Sequence, residues 1–476
     1  MSRVVIAGGG VGGLTTALLL ARAGHRVTLL EKDPALPPDQ AQEAFIGWDR
    51  PGVPQWRLIH VLAARLRLLL AEHLPDVVEA LYESGARDAD PAAALAPESR
   101  RPEDADLRVL LCRRAVYEWV LRDRCAAQAD LDVESGCAVQ ALIGTAGDPP
   151  HIRGVRLADG RTFDADLVVD ATGRTSALER WLGLLGGRPA PWESAPVGII
   201  YFSRFYERAE EGEWPPRFRV DTGYSRIAAA PADGRVFSIS FFADASERGF
   251  RALREDAVFE RAIDAFPGLR QWRAGATPLA SVHAMGDFQN RFRDVLVDGR
   301  PAALGILPVG DSVCHTDPFL GRGLTAALMH AVALSEALAV EPHDAEGLVH
   351  EFARRVVPEA RAVHADAAAG SAETIANRRA GRAAGPRARA FSALKRAAQE
   401  DPDLWRIFMR HQLYLPTPEG LFDDPNLGER VGRLLPAVPE PVGPDRSDFL
   451  DLLRSVAAVP GVTFMDPRVA PEAAAE

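Results

Sequence analysis

The chain opens with the pattern that most limits its fold. An apolar, β-branched run, Arg3 to Ala7, is followed at once by Gly8-Gly9-Gly10-Val11-Gly12-Gly13. Gly8, Gly10 and Gly13 satisfy G-x-G-x-x-G between a predicted strand and a predicted helix, Leu14 to Ala23, which Gly24 is placed to end. The first glycine permits a tight turn, and the second lets the backbone approach a pyrophosphate. The third lets helix and strand pack closely, while the helix N-terminus offers free N–H groups and a positive dipole. Arg26 to Leu30 reads as a second strand ending at Glu31, eighteen residues beyond Gly13. A carboxylate there is placed to bond an adenosine ribose hydroxyl and would repel a 2′-phosphate, so NADP is not expected in this first site. Val11 and Lys32 are the further cofactor-contacting residues expected around this loop. Taken alone, Glu31 is equally a solvated strand-end charge. Strand, helix, second strand and acid in register predict a dinucleotide site.

A chain of 476 residues is too long for one hydrophobic core, so two or three domains are expected. No run approaches the roughly 18–20 apolar residues of a membrane span. The first apolar segment leads straight into the glycine loop and leaves no room for a signal peptide, so a cytoplasmic protein is expected. A net charge of −11 argues against a nucleic-acid partner. Cys112, Cys125, Cys137 and Cys314 have no CxxC or zinc-like spacing and read as small buried residues in a reducing compartment.

The predicted organisation is an α/β fold. A Rossmann-type cofactor-binding domain (parallel sheet plus β-meander) spans 1–185 and 295–340. A β-rich substrate domain, 186–294, is inserted in it, and a helical C-terminal region covers 341–476. Val61 to Gly85 reads as one or two helices broken at Pro75, and Asp88 to Asp106 as a surface excursion. Runs at Ala138–Ile143, Ile152–Leu157 and Thr162–Val169, with Asp159-Gly160 between the last two, predict the meander. Alternating runs such as Val197–Phe205 and Val236–Phe242 carry a concentration of aromatics: Tyr201, Phe202, Phe205, Tyr206, Phe237, Phe241 and Phe242.

Two later segments separate FAD from NAD. Leu307-Pro308-Val309-Gly310-Asp311-Ser312 follows a strand, and Pro318-Phe319-Leu320-Gly321-Arg322-Gly323-Leu324 runs into a long apolar helix. Together they resemble the second FAD motif of the p-hydroxybenzoate-hydroxylase-like flavoprotein monooxygenases. The resemblance implies that Asp311 bonds the ribityl chain and that Pro318, Gly321, Gly323 and Leu324 lie beside the flavin pyrimidine edge. The following helix would then stabilise negative charge on reduced flavin. Arg114-Ala115-Val116-Tyr117 resembles the helix whose arginine reaches FAD in these enzymes, with Arg113 as the alternative. Val139 joins the implied cofactor contacts. Pro51-Gly52-Val53-Pro54-Gln55 with His60 resembles a segment near the flavin. Leu58 stands where the class has a more polar residue, and His60 reads equally as a structural histidine.

One departure matters. Hydroxylases that bind NADPH themselves carry an Asp-Gly pair where this chain has Thr172-Gly173, a form closer to flavin epoxidases, halogenases and two-component monooxygenases. NAD(P)H is therefore expected as a transient electron donor, directly or through a flavin reductase. A halogenase is disfavoured because no Trp-x-Trp-x-Ile-Pro segment is present. The resemblance implies a monooxygenase that hydroxylates or epoxidises a small apolar or aromatic metabolite with molecular oxygen, through a flavin C4a-hydroperoxide. The alternative is an FAD-dependent reductase, dehydrogenase or redox-neutral cyclase. His283, His315 and Asp317 are the polar candidates near the substrate, and Arg204 is a candidate anchor for an acidic group. None is assigned a catalytic role, and no metal site is expected.

Overall fold

Parallel pairing of Arg3–Ala7 with both Arg26–Glu31 and Leu167–Asp170 forms the centre of the first sheet. Ile306–Pro308 and Leu131–Ser135 close its two edges, giving five strands in all. The computed structural model describes residues 1–60, 62–188, 190–216, 218–380, 386–416, 425–434 and 443–457. The glycine loop ends the first strand, and helix Val11–Arg22 buries Leu14, Leu18 and Leu20 beneath the sheet. A three-stranded meander, Val139–Thr145, His151–Leu157 and Thr162–Asp164, precedes the fourth parallel strand. Its last turn is Asp159-Gly160, with Gly160 at φ +92°, a conformation glycine takes without cost.

The second sheet has six strands, all antiparallel. Phe218–Asp221, Ser225–Pro231, Val236–Asp244, Ile199–Arg208 and Ala276–Pro278 lie side by side, and His283–Met285 also pairs with the long central strand. Helices Asp256–Asp264 and Pro267–Arg273 cover one face. A third helix joins them from far along the chain: Arg446–Ala457 puts Phe449, Leu450 and Leu453 into the same core as Phe241, Phe259 and Phe266. The C-terminal helices are thus shared between both sheets, a distribution that a linear division of the chain does not convey.

Two expectations are corrected here. The 18-residue helix Gly323–Val340 is long and apolar enough to span a membrane, contrary to the sequence reading. It is apolar all round because it is packed inside the cofactor half, with Leu324, Leu328, Leu334 and Leu338 buried and Ala327 against Gly12. The stretch Asp88–Asp106 is less superficial than its prolines imply. Arg87–Ala89 pairs with Val109–Leu111, and buried Asp104 receives two bonds from Arg406, at 2.7 and 2.8 Å. The break at Pro75 is as expected, between helices Ala64–His73 and Pro75–Glu83. Val61 lies outside the described residues.

Candidate cofactor and substrate site

A cavity of about 2150 Å³ runs from the glycine loop, past Gly310-Asp311, to the aromatic face of the second sheet and the helices after residue 360. The three motif glycines meet different surroundings. A Cβ on Gly8 (φ +108°) would lie 2.5 Å from the Ala171 carbonyl oxygen, and one on Gly13 would lie 1.9 Å from that of Gly8. A Cβ on Gly10 would meet no protein atom within 4 Å; that side opens on the cavity. Gly10 is also the N-cap of helix Val11–Arg22, which has no side-chain cap and no acid in its first turn. Free N–H groups beside open space are what a pyrophosphate needs, so the residues present fit a dinucleotide.

Glu31 is buried and its oxygens are spoken for within the protein. Oε2 accepts the Gly9 N–H (3.0 Å) and a bond from Arg50 (3.1 Å); Oε1 accepts the Asp33 N–H (2.8 Å). Arg50 also bonds the Gly9 carbonyl and Glu118, at 3.0 and 2.8 Å. The helix Arg114–Ala126 places Glu118 four residues after Arg114, so one carboxylate takes Arg50 on Oε1 and Arg114 on Oε2. Burial and the neighbouring Glu31 push the Asp33 carboxyl above its ordinary range, against the pull of Arg50.

The two arginines at that helix start do different things. Arg114 lines the cavity, and its Nη1 faces His60 Nε2 at 3.5 Å. Arg113 turns away and forms a buried pair with Asp233, at 2.6 Å, tying the cofactor half to the second sheet. Burial, then the Arg114 charge, pull the His60 imidazole down to about 3, so it is neutral. Its Nδ1–H donates to the Leu58 carbonyl at 2.9 Å, leaving Nε2 bare toward Arg114.

At the other end, Gly310 (φ +60°) donates its N–H to buried His330 Nδ1 at 3.0 Å, and Ser312 Oγ accepts the Gly173 N–H at 2.8 Å. These bonds set Asp311 beside the Thr172 turn. Asp317 Oδ1 accepts the Phe319 N–H at 2.9 Å, and Gly321 takes φ +66° before helix Gly323–Val340 starts without a side-chain cap. Burial raises the Asp317 carboxyl, opposed by Arg226, Arg378 and His315. Thr172 does not face outward as a stand-in for aspartate. Its N–H and hydroxyl both donate to buried Asp170, at 3.0 and 2.5 Å.

Gly8, Gly10, Val11, Glu31, Lys32, Arg114, Val139, Asp311, Pro318, Gly321, Gly323 and Leu324 all line this one cavity. Gly13 does not; it is packed against the loop itself. His315 and Asp317 line the cavity, whereas His283 does not and donates through Nε2 to the Pro54 carbonyl at 2.7 Å. Arg204 anchors no ligand: it is buried and paired with Asp256 and Glu260, at 2.8 and 2.7 Å. Sequence reasoning missed Arg50, for which no motif gives a signal, and also Arg174, Arg226 and Arg378 on the cavity wall. The aromatic wall is narrower than composition implies. Tyr201 stacks on Phe242 (5.1 Å, 9°), and Phe242 meets Phe319 edge-on at 5.2 Å. Phe202, Phe237 and Phe241 point to the opposite face, into the core. Among the described residues no group of acids, histidines and cysteines could hold a metal.

Residues 3–85 match the family model "FAD dependent oxidoreductase". The kynurenine 3-monooxygenase of Salinispora tropica is 26% identical over 377 residues, covering 74% of this chain and 76% of that protein. The chain is an FAD-dependent oxidoreductase. The fold of this oxidoreductase is that of flavoprotein monooxygenases. It is similar to the probable FAD-dependent monooxygenase PqsL of Pseudomonas aeruginosa (TM-score 0.56, 20% identity, 78% of this chain and 96% of that one). It is similar also to the Diels-Alderase PyrE3 of pyrroindomycin biosynthesis (TM-score 0.59, 17% identity, 87% and 81%).

Proposed function

We propose that this oxidoreductase is a monooxygenase that hydroxylates or epoxidises a small apolar or aromatic metabolite. The observation that carries the reading is the continuity of the cavity, from the glycine loop past Asp311 to Tyr201, Phe242, Phe288 and Phe319. The kynurenine-hydroxylating relative supports it. Bound and reduced, the flavin supplies the activation of oxygen. The chain's own residues bind, orient and keep water out. In this reading the Gly8–Gly13 loop holds the pyrophosphate and Asp311 the ribityl chain. Arg114 is kept toward the cavity by Glu118. The apolar wall at Ile199, Tyr201, Phe242 and Phe288 excludes water from the reacting face. Four buried free thiols suit a reducing compartment, so the cytoplasm is the proposed location.

NAD(P)H is the proposed source of electrons, directly or through a flavin reductase. Thr172, committed to Asp170, favours the separate reductase. Anaerobic NADPH added to flavin-loaded protein tests this: a flavin band that persists supports the reductase, and rapid bleaching supports direct reduction. The oxygen-transfer reading is tested with isotope-labelled oxygen, an electron source and a panel of aromatic metabolites. One labelled atom in the product is expected; product with none sinks the reading. A redox-neutral cyclase is the second reading, favoured by the fold shared with a Diels-Alderase. Turnover with oxidised flavin in the absence of oxygen would establish it.

A further inference from the structure

We infer that Arg293 is a positioning residue for the flavin site. Acting through Ser176 and Asp170, it fixes the Thr172–Arg174 turn and Ser312 beside Asp311. Arg293 does not line the cavity. It is 1% exposed and lies behind the wall, its guanidinium 4.1 Å from the Trp192 ring.

The connection runs through two side chains. Arg293 Nη1 donates to Ser176 Oγ at 3.0 Å, and the Ser176 hydroxyl donates to Asp170 Oδ2 at 2.5 Å. The other Asp170 oxygen accepts the Thr172 N–H and hydroxyl, at 3.0 and 2.5 Å, and the Ser312 hydroxyl at 3.3 Å. Ser312 Oγ in turn accepts the Gly173 N–H at 2.8 Å. One fully buried carboxylate thus gathers the residues that flank Gly173 and Asp311. No arginine or lysine among the described residues pairs with Asp170 directly; Arg293 stands one hydroxyl away. A guanidinium bonded to a serine oxygen polarises that O–H and strengthens its bond to the carboxylate.

Packing does not account for this arginine. Its Nε and Nη2 are buried without a partner, a cost that an apolar side chain of similar size avoids. What Arg293 supplies in return is the bond to Ser176. Its strand repeats the device. In Gln289–Phe292, Arg291 Nη1 donates to the Arg174 carbonyl at 3.1 Å, and Asn290 Oδ1 accepts the Asp317 N–H at 2.8 Å. Alternate side chains therefore reach two turns that line the cavity, Arg291 and Arg293 toward Thr172–Arg174 and Asn290 toward Asp317.

The inference rests on the placing of FAD along this cavity and not on oxygen transfer. Its test is a titration of apoprotein with FAD, read by flavin fluorescence, beside thermal unfolding of each apoprotein. Arg293→Met and Ser176→Ala should each weaken FAD binding about tenfold. The double variant should lose no more than the weaker-binding single, because both changes cut one chain of bonds. Arg293→Lys can still donate to Ser176 and should recover part of the affinity. Losses that add, about a hundredfold in the double variant, would show two separate structural effects and overturn the inference. Unchanged affinity in Arg293→Met overturns it as well. If Arg293→Met does not fold, Ser176→Ala decides alone. Affinity equal to the parent's then overturns the inference, and a tenfold loss at an unchanged apoprotein unfolding temperature supports it. Asp311→Asn separates the two readings. If it binds FAD as the parent does, the placing of the cofactor falls and the inference with it. If it loses affinity while Arg293→Met does not, only the inference falls.

Discussion

Arg50 holds Glu31 from behind the cavity, Nη2 to Oε2 at 3.1 Å, while the same nitrogen bonds Glu118 at 2.8 Å. The acid of the glycine loop and the acid behind Arg114 therefore share one buried cation. The glycine loop and the helix that carries Arg114 are connected through it.

Removing that cation takes one partner from three buried carboxylates, Glu31, Asp33 and Glu118, of which Glu118 keeps Arg114 and Glu31 keeps two backbone N–H groups. Arg50→Met should cost about 3–5 kcal/mol of stability and weaken FAD binding. Urea unfolding and a flavin titration measure the two effects. An unchanged unfolding midpoint would mean the network contributes nothing net.

The three motif glycines should fail in different ways. Gly13→Ala drives a methyl into the Gly8 carbonyl and should lower the unfolding temperature of the apoprotein. Gly10→Ala meets no protein atom, so the apoprotein should keep its unfolding temperature. Its flavin affinity should fall about tenfold or more, because the methyl occupies the pyrophosphate's approach. Apoprotein calorimetry beside flavin titration separates the two. An equal loss of apoprotein stability in both variants would contradict the division.

His330 predicts a pH window. Burial holds its imidazole down to about 4, against 6.5 for a free ring, while Nδ1 accepts the Gly310 N–H. Above pH 6.5 the ring is neutral in both states and its contribution is complete. As the pH falls from 6.5 toward 4, only the unfolded chain takes up the proton, so stability declines by about 3 kcal/mol over that range. His330→Gln should flatten the decline relative to the parent, since glutamine can still accept the bond. Denaturant midpoints from pH 7 to 4 measure it, and parallel curves would rule the histidine out.

Phe449 packs edge-on against Phe266 at 5.7 Å and lies fully buried in the core of the second sheet. Phe449→Ala should cost about 3–5 kcal/mol. It should loosen Phe241 and Tyr224 as well as the helix that carries it. Hydrogen exchange on strand Val236–Asp244 checks this. Loosening confined to residues 446–457 would show the helix to be an accessory.

The cofactor end of the site was legible in the sequence because its signals are local. Gly8, Gly10 and Gly13 lie within six residues, and strand, loop and helix follow directly from their spacing. Asp311 and Gly321 were legible for the same reason. What escaped depends on partners far apart in the chain. Arg50 meets Glu118 across 68 residues, and Arg113 meets Asp233 across 120. Arg50 carries no motif, and Arg113 is expected only as the alternative to Arg114; the buried acid each one meets is set by the fold. The substrate wall was half legible: alternation in Val236–Phe242 announced a strand, but not that Phe242 faces the cavity while Phe241 faces the core. Gly323–Val340 was legible as a long apolar helix but not as one of membrane-spanning length and apolarity, a composition that enclosure by protein accounts for.

Helix Arg446–Ala457 has a consequence for how the protein is made. Its phenylalanine completes a core whose other members, Phe241, Phe259 and Phe266, are synthesised nearly two hundred residues earlier. On the ribosome, the glycine-loop sheet has all five of its strands once residue 308 has emerged, whereas the core of the second sheet, covered by then by helices Asp256–Asp264 and Pro267–Arg273, still lacks Phe449, Leu450 and Leu453. For that interval the nascent chain holds an unfinished apolar core beside a nearly complete parallel sheet. The order of synthesis therefore makes the half built on the antiparallel sheet, not the half built on the parallel one, the last to complete its core.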